Sequence, residues 1–223
     1  MDYKTIFDRI ETQLEGEAHL DELAQKKQDP FKILISTILS ARTRDANTRI
    51  ATEELFSKFN TPKAIASAKT EEIETLIRAS GFYKVKASRV KEVSLELIDK
   101  YNSKVPDNYD DLLNLPGVGS KTANCVLVYA FKIPAIPVDV HVHRISNRLG
   151  WVKTTNPEKT EQALRNKIPR ELWLNLNRLL VRFGQQVCKP INPNCNNCVI
   201  NDVCPKDFSM ELAKKEKKRN RKF

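Results

Sequence analysis

Residues 115–131 read LPGVGSKTANCVLVYAF. The chain has only six glycines, and two of them, Gly117 and Gly119, stand here with one residue between them. Pro116 and Gly117 end the helical stretch YDDLLNL, Val118 is free to pack inward, and the glycines permit a tight turn with positive φ. A new helix starts near Ser120, with Lys121 in its first turn. The first amides of a helix have no intrahelical partner, and glycines place no Cβ in front of them, so a phosphate can sit at that terminus. An ordinary helical hairpin closed by a glycine turn would use the same residues. On this stretch alone both readings stand.

Outward from the turn, apolar residues recur at helical spacing: Ile6, Ile10 and Leu14; Ile35, Ile38 and Leu39; Ile73, Leu76 and Ile77; Val90, Val93 and Leu97; Leu172, Leu176, Leu179 and Leu180. The expected fold is all-α. Asp45, Thr61 with Pro62, Gly81 and Gly150 are read as start and stop signals that cut the pattern into short helices, Asp45 as a cap.

Lysine and arginine outnumber aspartate and glutamate by 38 to 28, a formal charge of +10. Such an excess suits a polyanionic partner, because neutralised phosphates release counterions. Part of it lies in the run KKEKKRNRK at 214–222, which reads as a solvated end or as a nonspecific phosphate contact. No long apolar run and no signal-peptide pattern is present, so no membrane is expected and the cytoplasm, with the nucleoid, is the expected location.

PAIPVDVHVHRISNRLG, residues 134–150, places Asp139 after a proline-rich turn and before a helix with Val142, Ile145 and Leu149 on one face. Asp139 is a natural N-cap, and the helix dipole favours its ionised form beside a developing cation. His141 and His143 are two apart on that helix and point to different faces, which argues packing rather than a metal site.

Four of the five cysteines, Cys188, Cys195, Cys198 and Cys204, fall in one segment with the spacing C-x6-C-x2-C-x5-C. Four thiolates in so short a loop can surround one centre. Tetrahedral zinc and a [4Fe-4S] cluster both satisfy the chemistry. Cys125, in an apolar helix pattern, reads as core.

These motifs together resemble the endonuclease III family of helix-hairpin-helix DNA glycosylases. Leu115, Pro116, Gly117, Val118, Gly119, Lys121, Thr122 and Ala123 are similar to the family hairpin, which holds the DNA backbone. VDVHVHR resembles the family's V-D-T-H-V-x-R, with Val140 in place of threonine, and the cysteine spacing resembles the family's cluster loop. The resemblance runs from about Ile33 to Cys204. It implies a [4Fe-4S] cofactor on the four cysteines, Lys121 and Asp139 as catalytic residues, and hairpin contacts to DNA from Leu115, Gly117, Val118, Gly119 and Ser120, with Lys189 close to DNA beside the cluster.

The implied activity is that of a bifunctional glycosylase and AP lyase, which removes an oxidised pyrimidine such as thymine glycol and cuts the strand at the abasic site by β-elimination. A lowered lysine pKa, from the helix terminus and from desolvation by bound DNA, would leave Lys121 nucleophilic. A monofunctional adenine or mismatch glycosylase, or a noncatalytic DNA-binding module with a zinc knuckle, are the rivals. Since a stacked base cannot reach a lysine, the nucleotide must flip and the gap must be filled. LSARTRD, residues 39–45, resembles L-S-A-Q-x-T-D with Arg42 at the gap-filling glutamine; SGFYKVKA, residues 80–87, resembles G-L-Y-x-x-K-A with Phe82 at the wedging leucine. Without the resemblance these two read as a surface arginine and a core phenylalanine. An arginine here would favour an orphaned guanine. The implied architecture is a six-helix barrel domain at 26–134 and a cluster domain made of 1–25 and 135–223, with damaged double-stranded DNA bound in a cleft between them by a monomer.

Overall fold

The computed structural model describes residues 2–26 and 29–209; the basic run at 214–222 lies outside them. Among the described residues there are twelve α-helices, one short 3-10 turn and no strand, in accord with the all-α reading. No described helix is long and apolar enough to cross a membrane. Packing divides the chain into two units, one of residues 17–135 and one of residues 1–16 with 136–223.

The 17–135 unit contains α2 (His19–Gln25), α3 (Pro30–Ser40), α4 (Asp45–Lys58), α5 (Pro62–Ser67), α6 (Thr70–Leu76), α7 (Tyr83–Tyr101), α8 (Tyr109–Asn114) and α9 (Ser120–Phe131). At its centre is α3, where Phe31 and every residue from Ile33 to Leu39 are buried. A helix apolar on all sides must be enclosed by others, and α3 packs against α2, α4, α7 and α9. Asp29 starts it by accepting the Phe31 amide at 2.8 Å, with Pro30 in its first turn. Because α2 packs on α3, α4 and α9, the N-terminal boundary between the packing units falls after Gly16 and not after residue 25, where the family resemblance put it.

Thr61 caps α5 through the Ala64 amide, with Pro62 next, as its pattern predicts. Asp45 departs from expectation. Helix α4 begins at Asp45 itself, and its N-cap is Arg44, which makes no side-chain cap bond. The Asp45 carboxylate thus sits in the first turn, where it still complements the positive helix end.

The second unit contains α1 (Tyr3–Gln13), α10 (Val140–Arg148), α11 (Pro157–Arg165) and α12 (Trp173–Gln186). Ile6, Phe7 and Ile10 of α1 join Val142, Ile145, Leu176, Leu180 and Phe183 in one core. Each such side chain contributes about 1.5–3 kcal/mol by leaving water. Trp151 closes one side, with Tyr3 edge-on at 5.3 Å and Phe7 at 6.0 Å. Helices α10 and α12 approach closely because residue 184 is glycine: a Cβ there would lie 2.5 Å from His141 Nδ1 and 2.8 Å from an Arg144 nitrogen. Gly150, with φ +67°, ends α10 as expected.

Candidate active site and cysteine loop

The opening motif folds as a helical hairpin. Leu115 is the C-cap of α8, the Val118 amide donates to its carbonyl at 3.1 Å, and both side chains are buried. The two glycines differ in role: only Gly117 uses the positive φ that both permit. Gly117 has φ +68°, and a Cβ there would lie 2.6 Å from the Arg89 side chain. Gly119 has φ −98°, which any residue adopts, and a Cβ on it would meet nothing within 4 Å. Neither backbone nor packing requires glycine at 119. Its effect is on the outside, where the N-terminus of α9 stays uncovered, without a side-chain cap. Lys121 stands half-buried in the first turn of α9 and Ser120 opens it.

Asp139 is the N-cap of α10. One carboxylate oxygen accepts the amides of His141 and Val142, both at 2.9 Å. The second oxygen is not used by that cap. Asp139 is half-buried and Val140 beside it is 68% exposed, so the threonine-to-valine departure leaves the capping geometry in place. His143 is buried, with Nδ1 2.7 Å from the Thr160 hydroxyl, while His141 Nδ1 lies 3.2 Å from Arg144. The histidines face different ways.

Arg42 and Phe82, assigned to separate loops by their motifs, meet. The Arg42 guanidinium lies over the Phe82 ring, 5.6 Å from its centroid. Both residues occupy the left-handed region, at φ 52° and 59°. Phe82 is 62% exposed, which excludes the core reading of that side chain. Gly81 explains how the loops come so near: a Cβ there would stand 2.9 Å from the Arg42 carbonyl oxygen, and the Gly81 amide donates to Thr43 Oγ1 at 3.0 Å.

Lys86, the lysine of the motif that carries Phe82, to which the sequence reading gave no role, lies under this junction. It is only 7% exposed, and Nζ donates to the carbonyls of Leu39 at 2.7 Å and Ala41 at 2.6 Å, and to the hydroxyls of Thr43 and Ser80, each at 2.9 Å. Burial pushes its pKa down to about 8, and the four acceptors act the other way, since they stabilise the ammonium. Its place in that motif gives no sign that its head is buried, because that depends on the packing of α3.

Cys188, Cys195, Cys198 and Cys204 line one pocket with Ile145, Phe183, Ile200 and Arg148. None is in a disulfide. Burial raises the thiol pKa of Cys198 and of Cys204; backbone hydrogen bonds at Ile200 and Lys206 pull the other way, and the sulfurs of Cys188 and Cys195 add to the rise of both. Among the described residues no three histidine, cysteine, aspartate or glutamate side chains are gathered closely enough to hold a single metal ion. Arg148, another residue the motifs did not single out, is buried and donates to Cys188 Sγ at 3.3 Å and to the Lys189 carbonyl at 2.8 Å, while it stacks on Phe208 at 4.8 Å. The Lys189 side chain is exposed. Cys125 is fully buried in α9, in the 17–135 unit.

Comparison with known proteins agrees with this geometry. Residues 35–170 match the model of the HhH-GPD superfamily base excision DNA repair protein. The chain is 53% identical to endonuclease III of Thermotoga maritima over 179 residues, covering 80% of this chain and 84% of that one. It is 41% identical to the chloroplastic endonuclease III homolog 1 of Arabidopsis thaliana, of which it spans about half, 53%, with 86% of this chain covered. A solved non-covalent endonuclease III–DNA complex superposes with a TM-score of 0.81 at 35% identity, covering 94% of this chain and 96% of that one. A trapped covalent endonuclease III–DNA intermediate gives 0.79 at 34%, with coverage of 92% and 97%. With the hairpin, the capped aspartate and the four-cysteine loop in that order, the chain belongs to the endonuclease III family of helix-hairpin-helix DNA glycosylases and AP lyases, enzymes of base excision repair.

Proposed function

We propose that this enzyme acts on double-stranded DNA, removes oxidised pyrimidines such as thymine glycol, and cleaves the strand at the abasic site with Lys121 as nucleophile. The observation that carries the reading is a lysine in the first turn of α9, directly after a hairpin whose second glycine has no structural reason within the chain. The neutral Lys121 amine attacks C1′, the C1′–N bond breaks, and the base leaves with a proton. Ring opening gives a Schiff base between Nζ and C1′. Its iminium acidifies the C2′ proton, whose loss expels the 3′ phosphate, and water then releases Lys121. Asp139 stabilises the cationic sugar and carries protons, with the oxygen that its cap leaves over. Arg42 and Phe82 fill the gap left by the flipped nucleotide.

Cys188, Cys195, Cys198 and Cys204 would hold a [4Fe-4S] cluster. Four soft thiols in an apolar pocket match its ligand chemistry, and the Arg148 guanidinium offsets its negative charge. When bound, the cluster would tie together the loop from Cys188, just past α12, to Cys204. Lys189, Gly117, Gly119 and Ser120 are assigned to DNA backbone contacts, and a monomer in the nucleoid suffices for the task.

The test is borohydride trapping on a duplex with one thymine glycol. A covalent band in the wild type that is lost in Lys121→Ala supports the reading. Base release without a band would make the enzyme monofunctional and remove Lys121 from the chemistry.

A further inference from the structure

A buried ammonium group needs acceptors, and those of Lys86 are unevenly distributed. Leu39, Ala41 and Thr43 belong to the segment that carries Arg42, while Ser80 belongs to the segment that carries Phe82. None of the four acceptors is a carboxylate. A lysine that only filled core volume would be replaceable by methionine, yet this one gathers the last carbonyls of α3, where backbone acceptors lack helical donors. The same node holds two further bonds, Gly81 N to Thr43 Oγ1 at 3.0 Å and Ser80 Oγ to the Leu39 carbonyl at 3.0 Å. Around it both Arg42 and Phe82 are held in the left-handed region, a conformation that non-glycine residues keep only where the surroundings impose it.

Helix α7 extends the relationship. Lys86 and Arg89, three apart on α7, share one face, and Phe82 is the residue immediately before the helix. Phe82 stacks with Arg42, Lys86 joins the two segments, and Arg89 fills the space beside Gly117 in the hairpin turn. One face of α7 therefore reaches both the segments that carry Arg42 and Phe82, through Lys86, and the hairpin, through Arg89.

We propose that Lys86 is a positioning residue that locks the Arg42 and Phe82 segments into a single gap-filling head before DNA arrives. The inference rests on the functional reading above. It differs from a fold-stabilising role in one respect: it makes Lys86 matter only for sites that must be turned out of a duplex, leaving a gap opposite an orphaned base. An abasic site in single-stranded DNA needs no gap filling and meets Lys121 directly.

The experiment compares the wild type, Lys86→Met and Thr43→Val on one abasic site, in a duplex and in a single strand, under single-turnover conditions. The expected result is a fall of at least tenfold in duplex cleavage with single-strand cleavage within twofold of wild type, and a Lys86→Met/Phe82→Ala double variant no slower than the worse single one, as for groups that act as a unit. Equal losses on both substrates would overturn the proposal in favour of a general structural role, and so would an unchanged duplex rate. Thr43→Val keeps Lys86 and removes one of its partners, so it decides the matter if Lys86→Met does not fold. A wild type that cleaves neither substrate would instead overturn the lyase reading on which the proposal stands.

Discussion

The guanidinium of Arg42 stacks on the ring of Phe82, 5.6 Å from its centroid, although the two residues are forty positions apart and each sits at a positive φ. A contact between two exposed side chains is worth about 0.5–1 kcal/mol as a cation–π pair. Two left-handed non-glycine residues cost about 1–2 kcal/mol each. The arrangement therefore does not stabilise the free protein, which accords with the gap-filling use proposed for it.

Phe82→Gly follows from that balance. The substitution relieves φ 59° and gives up little burial, since Phe82 is 62% exposed. Expected is a gain of about 1 kcal/mol in urea-unfolding stability, together with a loss of duplex cleavage. A variant that is less stable, or fully active, would contradict the assignment.

At Asp139 capping and chemistry can be separated. Asparagine caps as well as aspartate, whereas alanine loses the two amide bonds and about 1 kcal/mol. Asp139→Asn should unfold like the wild type and Asp139→Ala at lower denaturant, while both lose strand cleavage. If Asp139→Asn stays active, the cap is all that Asp139 contributes.

The two hairpin glycines should respond in opposite ways. Gly117→Ala forces φ +68° on a Cβ that would meet Arg89 at 2.6 Å, so a stability loss of about 1–2 kcal/mol is expected from the backbone alone. Gly119→Ala faces open space at φ −98° and should change stability by less than about 0.5 kcal/mol. Its duplex affinity, read by anisotropy titration, should nevertheless fall, because the new methyl group covers the α9 terminus.

Acid sensitivity should begin above the carboxylate range. His19 is buried, with neither ring nitrogen hydrogen-bonded, and burial, aided by Arg49, lowers its pKa from 6.5, while Asp45, Glu22 and Glu53 pull weakly the other way. Below pH 6.5 the unfolded chain takes up a proton that the folded chain refuses, so stability present at neutral pH is lost as pH falls from there towards the lowered folded pKa. Urea midpoints at pH 7.5 and 5.5 should differ in the wild type and converge in His19→Phe. A wild-type midpoint that does not fall over this interval would show that His19 titrates normally.

Cys198→Ser should yield protein depleted of iron and acid-labile sulfide, whereas Cys125→Ser should keep both and lose only packing in α9. Iron analysis of the two variants beside the wild type checks the cluster assignment.

The features legible in the residues were those built by neighbours in the chain. The Pro116–Gly117 turn with Val118 inward, the Asp139 cap, the Thr61–Pro62 start and the four-cysteine spacing each involve residues within a few positions or one loop, so local geometry follows from residue type. Asp45 shows the limit of that reading, since a cap and a first-turn carboxylate differ by one residue and identical sequence signals.

What only the tertiary structure decided is where distant segments press together. Gly81 is glycine because the Arg42 carbonyl stands 2.9 Å from its missing Cβ, Gly184 because His141 and Arg144 do the same across α10 and α12, and Lys86 is a junction because α3 ends above it. The sequence by itself established an all-helical chain carrying a hairpin, a capped aspartate and a thiol loop. Which side chains become buried partners across forty residues depended on the docking of α3 with α7 in one unit and of α10 with α12 in the other, because packing within each unit involves many segments at once and leaves no periodic trace in any one of them.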